Sequence, residues 1–228
     1  MKLPPFDSKK HQKEFIESII IFVYEHLCKW RNDIMRPTIE GEKILNSDLP
    51  KFLTSYAHET ELSSIVFYPE EPQEGQRTVD FSVCFNNVQC YNKVITVFEC
   101  KRLSKTLPKD RKDEYVTGYK KTTGGIQRFK LEVHGKDHEI VSMIGYVQTG
   151  ICSEWQKTIN NCIDDLCNKP DENGLCWIKD EHLKAIEFDK KKGKSYCKSI
   201  HPRITKPNIT IHHLWVNMQK NEVTLNQS

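Results

Sequence analysis

Residues 93–103, KVITVFECKRL, decide how the rest of the chain is read. Ile95, Thr96, Val97 and Phe98 form a short apolar, β-branched run, the pattern of a strand buried on both faces. The run then ends in charge. Side chains at i and i+2 of a strand share a face, so Glu99 and Lys101 lie together and Cys100 points the other way. An acid and a base at the end of a central strand are costly to bury, and such a pair belongs at an edge or a site.

A second strand precedes it over Arg77–Phe85, RTVDFSVCF. Val79, Phe81, Val83 and Phe85 make its apolar face, while Asp80, Ser82 and Cys84 make the other. If the two strands are hairpin neighbours joined through residues 86–92, Asp80 lies beside Glu99 and Lys101. The ExK triplet alone is weakly specific, because the same pair occurs on solvated strands as a surface ion pair of little worth. The apolar lead-in, the upstream Asp at an alternating position, the basic segment that follows and the helix beyond it add weight. Together these residues form a D…ExK constellation that resembles the PD-(D/E)xK nuclease superfamily over roughly residues 47–150. The proline of the superfamily's name is replaced by Val79, at a position that varies among its members.

The resemblance implies an α/β fold: a restriction-endonuclease-like core with a central mixed sheet flanked by helices. It also implies a metal-dependent endonuclease, with restriction or phage defence as the setting. Asp80 and Glu99 offer the hard oxygens that Mg²⁺ (or Mn²⁺) prefers, with the Cys100 backbone carbonyl as a third ligand. Such a metal lowers the pKa of bound water and shields phosphate oxygens. Lys101 would orient the water or stabilise transition-state charge. Gln127, in GGIQRF, matches the polar residue that many members bring back from the helix after ExK, and an ordinary helix-surface Gln is the competing reading. Members also carry a further Glu on a helix before the core strands. Glu42 is preferred here, with Glu17, Glu25, Glu40 and Glu59 left open.

At 228 residues with a net charge of +3, the chain is long enough for one sizeable core, and its overall charge names no partner. One domain is expected: a helical region over residues 1–46, the core over 47–150, and a helix and strands over 151–228. No apolar run approaches the ~20 residues of a membrane span, and MKLPPFDSKK lacks the apolar core of a secretory signal, so a cytoplasmic location is expected. The nine cysteines include no CxxC pair and read as reduced thiols. Cys162, Cys167 and Cys176 with His212 and His213 match no closed zinc spacing. No Cys–His pairing that would activate a nucleophile is legible.

Charge distribution says more than net charge. Arg102, Lys105, Lys109, Arg111, Lys112, Lys120, Lys121 and Arg128 follow directly on ExK, with Tyr115 and Tyr119 interleaved. That block would draw a nucleic-acid backbone, double-stranded DNA on the superfamily analogy, or it is a solvated loop. A homodimer that cuts both strands is left open. The second function class is a nuclease-like fold that only binds DNA or a protein, its site silent.

Elsewhere, Phe15, Ile16, Ile19, Ile20, Val23, Leu27 and Trp30 predict an amphipathic helix capped by Ser8. Ser47-Asp48-Leu49-Pro50 reads as the start of a second helix, with Pro in its first turn. A strand over 62–68 is closed by the turn-rich PEEPQEGQ. Thr122-Thr123-Gly124-Gly125 leads flexibly into a helix packed through Ile126, Phe129 and Val133, and a phosphate could approach its N-terminus. A buried parallel strand over 139–147 and a helix over 154–167 capped by Ser153 come next. Strand-like pieces at 185–188, 195–200 and 209–218 suggest an added hairpin at a sheet edge, where His201, Arg203, His212 or His213 could touch phosphate.

Overall fold

The computed structural model describes residues 8–38, 41–73, 77–86, 93–108, 111, 113–118, 122–168 and 174–219. In chain order the elements are α1 (Lys9–Arg31), α2 (Glu42–Ala57), β1 (Ile65–Gln73), β2 (Arg77–Phe85), β3 (Val94–Leu103), α3 (Gly125–Lys130), β4 (Ile140–Val147), α4 (Cys152–Cys167), β5 (Lys184–Asp189), β6 (Lys194–His201) and β7 (Ile209–Asn217). The strands form one seven-stranded mixed sheet in the order β1-β2-β3-β4-β7-β6-β5. β1, β2 and β3 run as an antiparallel meander. α3 lies on the crossover to β4, which pairs parallel to β3, and β7 pairs parallel to β4.

Helices cover both faces of the sheet. On one side α1 and α2 bury Ile19, Ile20, Val23, Leu27, Leu45, Leu49 and Leu53 against Phe81, Phe98, Ile144 and Leu214. On the other, α3 and α4 bury Ile126, Phe129, Trp155, Ile159 and Ile163 against Val97, Val141, Met143 and Trp215. The three- and four-residue spacing of the α1 apolar side chains makes that helix amphipathic, and Ser8 caps it by accepting from the His11 N–H at 3.3 Å. Trp30 Nε1 donates to Asp48 Oδ2 at 2.8 Å and ties α1 to α2.

Several expectations are corrected. α2 begins at Glu42, so Pro50 sits inside the helix rather than in its first turn. It forgoes the backbone hydrogen bond to residue 46 there, while Leu45, Leu49 and Leu53 pack the helix down. β1 runs through Pro69 to Gln73 instead of closing at residue 68; as an edge strand it tolerates proline. α3 is only six residues long, so Val133 lies beyond it. α4 starts at Cys152 with Ile151 in the cap position, not Ser153. The C-terminal strands are no mere edge hairpin either. β5 and β6 form one, but β7 is seated inside the sheet between β4 and β6.

A buried polar chain fastens that C-terminal extension to the rest. Trp215 Nε1 donates to Tyr115 Oη at 2.8 Å, and Tyr115 Oη lies 2.9 Å from His213 Nδ1. His213 Nε2 is 2.7 Å from Ser199 Oγ, which is 2.6 Å from His201 Nε2, and His201 Nδ1 is 2.6 Å from Glu181 Oε2. The indole can only donate and an ionised carboxylate can only accept. With both imidazoles neutral, every proton between those ends is then fixed: Tyr115 donates to His213, His213 to Ser199, Ser199 to His201 and His201 to Glu181. Burial holds both histidines below the ordinary imidazole pKa. Lys130 closes the chain with an ion pair to Glu181 and a 2.9 Å bond to the Cys176 carbonyl. His201, His212 and His213 are therefore interior groups that no phosphate reaches. Arg203 donates instead to the carbonyls of Lys136 and His138, both at 3.1 Å.

Candidate active site

The hairpin register pairs Phe81 with Phe98, so Asp80 on β2 stands next to Glu99 on β3, just past the end of the paired segment. There the Cys100 N–H donates to Asp80 Oδ2 at 2.6 Å. Alternation along β3 puts Glu99 and Lys101 on one face, 1% and 8% exposed, with Lys101 Nζ 2.7 Å from Glu99 Oε1. Cys100 is buried on the opposite face among the side chains that meet α1 and α2. Glu42, the first residue of α2, reaches the same point. Its Oε2 accepts from the Arg102 N–H at 3.3 Å, and its Oε1 is 4.0 Å from Lys101 Nζ. Asp80, Glu99, Lys101 and Glu42 thus meet just beyond the point where the β2–β3 pairing stops.

The crossover adds two residues that sequence reasoning did not place here. Arg128 Nη1 donates to Glu99 Oε1 at 3.0 Å, and its Nε donates to the Thr122 carbonyl at 3.2 Å. His134, 1% exposed, brings Nδ1 to 3.2 Å from Glu99 Oε2. That approach is not aligned as a hydrogen bond, so Glu99 Oε2 and both ring nitrogens are buried polar atoms without one. Arg128 was read as a contact to nucleic acid. Its position next to Gln127 on a helix returning toward β3 was the available signal for an inward role, whereas nothing local marks His134.

Gln127 proves neither a helix-surface residue nor a group whose oxygen is directed at the carboxylates. It is fully buried, and its Oε1 accepts from the N–H groups of Gly118 and Gly124 at 3.0 and 3.3 Å. The α3 N-terminus offers no anion site, because the N–H groups of Gly125, Ile126 and Gln127 are taken by the carbonyls of Glu114, Tyr115 and Val116. Gly124 is there for close approach: a Cβ on it would lie 2.3 Å from the Thr117 Cα. The lead-in to α3 is therefore packed backbone against backbone.

Of the basic block, Arg102 is half-buried against Glu42, Lys105 pairs with Glu154 at 2.9 Å and Arg111 with Glu114 at 3.1 Å. Lys109, Lys112, Tyr119, Lys120 and Lys121 lie outside the described residues, as does Glu40. Tyr115 is a correction: it is buried in the polar chain and presents no ring to a base. Among the other upstream acids, Glu25, on α1, pairs with Lys194 at 2.8 Å.

The electrostatics follow from burial and neighbours. Burial raises Asp80, and the Glu99 charge raises it further, to about 7; Lys101 and the Cys100 N–H offset this only in part. Burial also pushes Glu99 upward, but Lys101, His134 and Arg128 outweigh it and bring that carboxyl down to about 2. Lys101 loses by burial and gains more from Glu99, Asp80 and Glu42, so its ammonium is held above the usual lysine range. The site holds one secure carboxylate, one secure ammonium and a second carboxyl that titrates near neutrality.

Among the described residues no three His, Cys, Asp or Glu side chains converge as a self-sufficient metal cage. The donor chemistry nonetheless suits a hard cation: Asp80 is half-open, Glu99 Oε2 accepts no aligned hydrogen bond although His134 Nδ1 stands 3.2 Å away, and Mg²⁺ commonly takes one or two carboxylates and completes its shell with water and substrate phosphate. The eight described cysteines are free, and none joins such a set. No described helix is long and apolar enough to cross a membrane. Comparison with family models, with curated proteins and with solved structures finds no match to this chain.

Proposed function

We propose that the chain is a metal-dependent nuclease that hydrolyses phosphodiester bonds in DNA with Mg²⁺ or Mn²⁺. One observation carries the reading: Asp80, Glu99 and Lys101, from two adjacent strands, meet with Glu42 from a helix where the pairing of those strands stops. Asp80, Glu99 and the Cys100 carbonyl would hold the cation, which when bound supplies an acidified water and shields the phosphate.

The protein's own groups do the rest. Lys101 presents a permanent positive charge to the pentavalent centre and can hold the attacking water in line. Arg128 and His134 flank Glu99 and fix its orientation. Glu42 keeps Lys101 and the Arg102 backbone in place. Gln127 pins the segment before α3 and so positions Arg128. Cutting both strands of a duplex would take two copies of the site.

Incubating the purified protein with plasmid and Mg²⁺ or Mn²⁺ tests this. The intact chain nicks or linearises the plasmid, and Asp80→Ala and Lys101→Ala do not. Cleavage that persists in both variants sinks the assignment.

A second reading, a silent nuclease-like fold that binds DNA or a protein, is favoured by a specific feature. Glu99 Oε1 already receives Lys101 and Arg128, with His134 beside the other oxygen, so that carboxylate is neutralised without any metal. DNA binding with no cutting under either cation selects this alternative.

A further inference from the structure

The connection from α1 to α2 carries the two most exposed large apolar side chains among the described residues: Ile34 is 96% and Met35 83% exposed. A lone exposed apolar side chain is ordinary, but these two are adjacent and held in place. The Arg36 N–H donates to the Asp33 carbonyl at 3.2 Å, closing a four-residue turn with Ile34 and Met35 at its centre. The Met35 N–H donates to Asp33 Oδ1 at 2.8 Å. Turn centres ordinarily take Gly, Pro, Asn, Asp or Ser, so local structure does not call for this pair. Arg36 Nε donates to the Arg31 carbonyl at 3.1 Å and its guanidinium lies over the Trp30 ring, which ties the base of the turn to α1.

The surroundings select what the pair meets. β3, β4 and β7 are parallel, and Leu103, Val147 and Asn217 fall in one row at their ends. Arg31 Nη1 donates to the Asn217 carbonyl at 3.1 Å, while Glu42 accepts from the N–H of Arg102, one residue before that row. The chain thus passes from β7 at Arg31 to β3 at Glu42, a separation of two strand spacings or roughly 10 Å. On the far side, Arg31 Nη1 also donates to the Lys192 carbonyl at 2.8 Å and pins the β5–β6 turn, where Lys190, Lys191 and Lys192 are exposed. Of the neighbouring acids, Asp189 accepts from the Lys192 N–H at 2.9 Å and Glu25 pairs with Lys194. An apolar pair set between a lysine turn and a phosphodiester site suits duplex DNA: the cations hold the backbone, and Ile or Met side chains enter base steps as wedges. We propose that the 33–36 turn inserts Ile34 and Met35 into a base step of duplex DNA and kinks it beside the cut, with Lys190, Lys191 and Lys192 on the phosphates. The inference rests on the nuclease reading for its substrate and adds how that substrate is deformed.

The test compares a fluorescein-labelled duplex with the same duplex carrying a central two-adenine bulge, by anisotropy in EDTA so that nothing is cut. The bulge is already unstacked and kinked, so the intact chain binds it about tenfold tighter. Ile34→Ser combined with Met35→Ser brings the two duplexes within roughly twofold of each other. Both side chains point into solvent, so that variant keeps the parent melting temperature. Lys190→Ala combined with Lys191→Ala weakens both duplexes equally, keeps the preference and lowers the salt dependence by about two phosphate contacts. An intact chain without the preference, or a preference that survives the serine pair, overturns the wedge; plasmid cleavage by that same chain leaves the nuclease reading standing. No binding to either duplex, in EDTA or with Mg²⁺, overturns the wedge as well, and so does binding to phosphatidylserine vesicles alone that the serine pair abolishes. A bulge preference lost in the serine pair, in a chain that cuts no plasmid, supports the wedge and sinks the nuclease reading alone.

Discussion

Replacing Asp80 by Asn separates what the site needs for chemistry from what the fold needs for stability. The carboxyl titrates at about 7 instead of 3.8 because it is buried beside Glu99. Keeping it ionised in the metal-free fold therefore costs up to about 4 kcal/mol. The side chain is half-open, so about 2 kcal/mol is the working figure. Asn keeps an oxygen for the Cys100 N–H, which donates at 2.6 Å, and removes the charge. In EDTA at pH 8, Asp80→Asn is expected to melt about 4–8 °C above the parent chain while losing all cleavage with Mg²⁺. For the sign, a carboxyl whose folded pKa is raised binds its proton more tightly in the fold. Its penalty is complete above pH 7, shrinks as pH falls below that, and vanishes below 3.8. The two melting curves converge as pH approaches 4. A variant less stable than the parent at pH 8, or a gap that ignores pH, refutes the electrostatic account of the site.

Arg128→Met leaves the fully buried Glu99 carboxylate with one cationic partner fewer and is expected to cost about 1–3 kcal/mol in urea titrations, with cleavage reduced. Gly124→Ala forces a Cβ to within 2.3 Å of the Thr117 backbone; loss of hydrogen-exchange protection at Gly125, Ile126 and Gln127 is the expected readout. In the buried chain, nitrogen NMR is expected to find His201 protonated at Nδ1 and His213 at Nε2, both neutral at pH 8, because burial holds both below the ordinary imidazole value. Those two histidines add stability above the ordinary imidazole pKa and withdraw it as pH falls below, since only the unfolded chain takes up the protons; a gain in stability on acidification through that range contradicts the assignment.

The meander was legible because its signals are local. Alternation fixed Arg77–Phe85 to the residue, and the β-branched run 95–98 fixed the next strand, so Asp80, Glu99 and Lys101 could be placed together from spacing alone. α2 was misjudged because Pro50 resembles a first-turn proline and Gly41 supplies no side-chain cap to mark the true start. The seat of β7 beside β4 was out of reach, since strand order is set by long-range pairing that no local pattern records. The same holds for His134 and for the chain from Trp215 to Glu181, whose members are scattered along the sequence and meet only after the sheet has closed. Gln127 and Arg128 lie otherwise than expected for a subtler reason: α3 is so short that a helical-face argument misses the tight approach of the preceding segment, which buries Gln127 against the Gly118 and Gly124 backbone and turns Arg128 toward Glu99.

Crystals of the intact chain soaked in Mn²⁺ and measured at its absorption edge address the central claim most directly. The account predicts an anomalous peak in contact with both the Asp80 carboxylate and Glu99 Oε2, lost in Asp80→Asn. An empty map at that position, with Glu99 still held by Lys101 and Arg128, would contradict it.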